Sequence, residues 1–153
     1  MRLVIGTIAV LAGSVLLAQV ADPKAASTKE IMLKMSIPAS NAIFDAGSKE
    51  KLSDADWANA KKQAQILIDS ADLLAAPGRM ATGQAKGGAT KGKAGKAGAA
   101  NPAGWNTAAK ALKDAGLLAM KAIDKKDLDL LSGDVGEKIL NSCSGCHDKY
   151  MIK

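Results

Sequence analysis

Four stretches of the chain repeat apolar residues every three or four positions. Outside residues 1–21, none alternates apolar and polar residues as a half-buried strand would. The first stretch spans 27–46, with Ile31, Met32, Met35, Ala39, Ala42 and Ile43 on one face and Pro38 expected to kink it. Over 53–76 the stripe is Trp57, Ala60, Ala64, Leu67, Ala71 and Leu74. Over 102–125 it is Trp105, Ala108, Leu112, Ala115, Ala119 and Ile123. The last stretch, 127–151, carries Leu128, Leu131, Val135, Ile139, Cys143, Cys146 and Tyr150. Start signals precede the periodic residues: Ser27 or Thr28, then Ser53 with acidic residues behind it, then Asn101 followed by Pro102. Four helices with one apolar stripe each must bury those stripes against one another. The expected fold is therefore all-α, an antiparallel four-helix bundle.

Two segments stand outside that pattern. Residues 1–21 begin with Arg2, continue with L-V-I-G-T-I-A-V-L-A-G-S-V-L-L-A and reach small residues at Ala18 and Ala21 before D-P-K. That order is the order of a secretory signal, and the run is short for a spanning helix. It predicts a mature chain of 22–153, periplasmic and without a transmembrane segment; an uncleaved N-terminal anchor is the competing reading. Between the second and third helices lies 77–100, with seven glycines, five basic residues and no acid. No apolar period survives there, so a long mobile loop is expected.

The basic character belongs to that loop. The chain has formal net charge +6, and loss of Arg2 with the signal leaves +5. Residues 77–100 carry all five of those charges as Arg79, Lys86, Lys91, Lys93 and Lys96, so the bundle itself is formally neutral. A basic tether suits solubility, or docking to a partner with an acidic surface or to an anionic membrane. Nucleic acid is not the expected partner class, since an exported chain with only four aromatic residues lacks both location and stacking platforms.

Both cysteines and the sole histidine fall within N-S-C-S-G-C-H-D-K-Y, as Cys143, Cys146 and His147. Three readings compete. A zinc site lacks its further ligands, since only two thiolates and one imidazole exist. A thiol–disulfide redox pair belongs at a helix N-terminus, and this pair sits near a helix end, where the dipole opposes thiolate. C-x-x-C-H is also the spacing of c-type haem attachment. Cysteines three apart share a helix face, and the histidine four beyond Cys143 lies on the same side, one turn on. Export supports the haem reading. A bundle rich in alanine and poor in aromatics leaves space that one covalently attached haem c would fill.

These features together resemble the class II cytochromes c, the cytochrome c′ family. C-S-G-C-H-D-K-Y on the last helix carries most of the resemblance, which covers about 27–152 with 77–100 as an insertion. K-E-I-M-L-K-M-S-I-P-A-S-N-A-I-F and W-A-N-A-K-K-Q-A are similar to a bacterial subgroup with K-E-L-M followed by P-S-A-D and an aromatic. The resemblance implies cofactor attachment at Cys143 and Cys146, with His147 as axial ligand. It also implies that Met32, rather than Met35, faces the other side of the iron in a low-spin member. Thr28 stands where family members often carry an arginine near the haem propionates, a role that Lys29 or Lys34 could take. A homodimer through the first two helices, as family members often form, is a further implication.

The expected function is a non-enzymatic periplasmic electron carrier serving redox partner proteins, because no catalytic acid–base pair is evident. The alternatives are a five-coordinate haem protein binding small gases such as nitric oxide, and a haem-free interaction bundle.

Overall fold

The computed structural model describes residues 26–77 and 102–150; the signal reading of 1–21, the 78–100 part of the loop, the Asn101 cap and Met151 lie outside the described residues. Among the described residues the protein is all-helical, with four helices and no strand. No described helix is long and apolar enough to cross a membrane.

Helix α1 opens as an α-helical turn, Thr28–Ile31, passes through a π-helical segment, Met32–Ser36, and continues as the α-helix Ile37–Gly47. Ser27 caps it in a reciprocal box: its hydroxyl accepts from the Glu30 amide, and the Glu30 carboxylate accepts from the Ser27 amide at 2.8 Å. The wide segment sits immediately before Pro38. Proline has no amide to donate, and its ring collides with the carbonyl four residues back. In a helix interior that costs about 3 kcal/mol or more. Here the Ile37 N–H reaches five residues back, to the Met32 carbonyl, and the Pro38 ring follows the widened turn.

Helix α2 is Asp54–Ala75. Ser53 and Asp56 repeat the capping box, and Asp54 and Asp56 place negative charge in the first turn. Its whole expected stripe is buried. Helix α3 is Pro102–Asp124, and its stripe is buried except for the half-buried Ala108. Lys126 closes the link to the last helix with φ of 51°, a left-handed conformation. Asp127 then caps that helix by accepting from the Leu130 amide at 2.9 Å. Helix α4 begins with the turn Leu128–Leu130, widens at Leu131–Val135 and runs on as Gly136–Tyr150.

One core joins all four helices. Small residues let helices approach closely, α3 on α2 at Gly116 and α1 on α4 at Gly47. A β-carbon on Gly116 would lie 2.8 Å from Ile68 Cγ1, and one on Gly47 would lie 3.1 Å from Ser132 Cα. Either glycine is replaced only at the cost of moving a neighbour. Ser36 and Ser70 are buried, and their hydroxyls hydrogen-bond each other at 3.0 Å between α1 and α2. That pairing satisfies groups that would otherwise be costly to bury.

Candidate functional site

Among the described residues the four helices leave a partly enclosed cleft that opens to solvent. Its walls come from different helices. Met32 stands near the start of α1, and Leu74 near the end of α2. Trp105, Ala108, Ala109 and Leu112 come from the first half of α3, and Ser142, Cys143, Cys146 and His147 from the last part of α4. The sequence-predicted residues Cys143, Cys146, His147 and Met32 thus line the same space, whereas Met35 does not line it.

Local sequence places each group. Cys143 and Cys146 are three apart on α4, and His147 is four beyond Cys143, so all three look out over one face. Ser142, just before them, turns its hydroxyl back to the Ile139 carbonyl at 2.8 Å and leaves the lining largely apolar. Trp105 is fixed from two sides. Its Nε1–H donates to the Leu74 carbonyl at 2.6 Å, and its ring meets Tyr150 edge-on with centroids 5.3 Å apart. The bond also satisfies a carbonyl in the last turn of α2.

Both cysteines are free thiols and half-buried. Burial pushes the Cys143 thiol above its ordinary value, opposed by the neighbouring Ser142 hydroxyl. Burial also pushes Cys146 up, with the neighbouring Cys143 adding to the shift and Lys149 opposing it. A nucleophilic redox cysteine needs the reverse, a thiol held low by positive charge. Nor do three or more histidine, cysteine or carboxylate side chains converge on a metal-sized point among the described residues. The cleft presents sulfur and imidazole from two walls, α1 and α4.

Sequence reasoning missed Leu74, Trp105, Ala108, Ala109, Leu112 and Ser142 as lining residues. Leu74, Trp105, Ala108 and Leu112 belong to the expected stripes, so the signal was present but read as core alone, and Ala109 adjoins the stripe of its helix without being assigned to it. The buried Ser142 gave none, because serine is usually exposed.

No known protein family, curated protein or solved structure matches the chain.

Proposed function

We propose that this protein is a periplasmic monohaem c-type cytochrome of class II type, an electron carrier built on an antiparallel four-helix bundle. The observation that carries the reading is the gathering of two thiols, one imidazole and one thioether around a single largely apolar cleft. The donor set fits the group. Cys143 and Cys146 stand at the spacing of paired thioether links, and the adjacent His147 would give the metal an imidazole nitrogen. Met32, on the α1 wall, would offer a soft sulfur from another helix. Helix starts and ends alternate around the cleft, as an antiparallel bundle requires.

Bound there, haem would supply a reversible one-electron iron couple. The chain's own part is to hold and to shield. Leu74, Ala108, Ala109 and Leu112 present hydrocarbon to the cleft and keep water from its inner wall. Trp105, pinned to the Leu74 carbonyl, stiffens that wall. Rigid helices on both sides limit the rearrangement that accompanies a change of charge. Thioether ligation favours the reduced metal, so the potential is expected above that of a bis-histidine site. Periplasmic placement rests on the signal-like residues 1–21, and partner docking on the basic 77–100 segment.

The test is the optical spectrum of the purified holoprotein. A low-spin reduced form that binds carbon monoxide slowly, with the methionine signature lost in Met32→Ala and kept in Met35→Ala, is the expected result. A five-coordinate spectrum with rapid carbon monoxide binding would replace the carrier by a gas-binding protein.

A further inference from the structure

The wide turn in α1 separates two methionines that an ordinary helix would place together. Buried positions on α1 run Ile31, Ser36, Ala39, Ser40, Ile43 and Ala46. From Ser36 onward the steps are the three and four of an α-helix. From Ile31 to Ser36 the step is five, and it falls across the π-helical segment. In an uninterrupted helix anchored by Ala39 and Ile43, Met32 would fall in line with them, beneath the core stripe, and Ile31 would lie off it. The structure shows the opposite arrangement. Ile31 is fully buried, and Met32 is half-buried and lines the cleft. One extra residue in the turn rotates the helix start by roughly 100° relative to its anchored end.

Pro38 follows that segment, and the widened turn accommodates its ring. The proline is solvent-exposed, packs nothing into the core and opposes helix formation where it stands. A residue that breaks a local rule without a packing return marks a functional constraint. We propose that Pro38 is a positioning residue: through the π-helical turn it swings Met32 out of the core stripe and into the cleft, and so decides which sulfur faces the cofactor. The Ser36–Ser70 hydrogen bond holds the anchored half in register while the first turn rotates. This inference rests on the methionine-ligated reading above.

The experiment compares three holoproteins: the unchanged chain, Pro38→Ala, and Pro38→Ala with Lys34 deleted. Lys34 is exposed and lies inside the wide turn, so its deletion turns the five-residue step into an ordinary four. Two quantities are read, the sulfur-to-iron charge-transfer band of the oxidised protein and the thermal midpoint. Pro38→Ala is expected to lose most of the band while its thermal midpoint rises or holds, because a helix-breaking residue has gone. Deleting Lys34 in that background is expected to restore the band. A merely structural proline would move the midpoint and leave the band alone. A full band in Pro38→Ala, or a lost band that the deletion fails to restore, overturns the register argument and leaves the cytochrome reading intact. Absence of the band from the unchanged chain overturns the methionine-ligated reading itself, and this inference with it.

Discussion

The two regions of the protein are built from the same four helices and packed differently. Where α2 begins and α3 ends, Trp57, Ala60, Ala64, Ala119, Ala122 and Ile123 are buried. Lys61 pairs with Asp124 and Lys126 with Asp54, both at 2.6 Å, and Gly47 sits close against Ser132. Where α2 ends and α3 begins, the helices border the cleft, and the side chains there are only half-buried at Met32, Ala108, Cys143, Cys146 and His147. The first region gains stability by excluding space. The second leaves these apolar and sulfur-bearing side chains partly open to solvent, so they forgo part of their dispersion contacts. The exposed ion pairs tie the first region's surface but add little, as solvent screens them.

The contrast predicts that covalent attachment depends wholly on one region. Cys143→Ser with Cys146→Ser is expected to abolish covalent haem, read as the absence of a haem-bearing band on a denaturing gel, while no substitution in the first region does so. Next come two of the buried leucines. Leu67→Ala, deep in the core, is expected to lower unfolding stability by about 2–5 kcal/mol in urea titration and to leave the visible spectrum unchanged. Leu112→Ala, on the cleft wall, is expected to cost less and to shift the spectrum. If both variants behave alike, the division into two regions fails.

The two tryptophans report on the same division. Trp105 lines the cleft and Trp57 does not, so haem is expected to quench Trp105 the more strongly. Single-tryptophan variants, Trp57→Phe and Trp105→Phe, compared by fluorescence would show it. Trp105→Phe also loses its bond to Leu74, a further cost of about 0.5–1.5 kcal/mol.

The smallest effect concerns the α2 cap. Hydrogen bonds from Lys49, then from the Ser53 hydroxyl and amide, hold the Asp56 carboxyl well below its ordinary value of 3.8. A lowered folded-state value means that the stabilisation is complete above about pH 4 and drains away as pH falls below it. Asp56→Asn is therefore expected to flatten the fall in urea midpoint between neutral and acid pH, with the spectrum untouched.

Much of this was legible in the sequence, for reasons that differ by element. The stripes of α2 and α3 were readable because uninterrupted helices keep one period, and nearly every residue assigned to them is buried. Cys143, Cys146 and His147 were readable as a unit because their relation is local to one helix. The α1 face was misjudged in detail. A constant period put Met32 and Met35 on one face, whereas the wide turn leaves Ile31 as the buried residue and Met32 beside the cleft. Pro38 signalled an irregularity but not its form, because a kink and a π-helical turn both relieve the same clash. Burial of Ser36 and Ser70 was invisible for another reason: two hydroxyls that satisfy each other across helices carry no mark in either segment.

The most direct test of the whole account is the intact mass of the purified mature chain after expression with a c-type maturation system. The account predicts the polypeptide plus one haem, with neither thiol open to alkylation. A bare polypeptide mass with Cys143 and Cys146 both alkylated would contradict it.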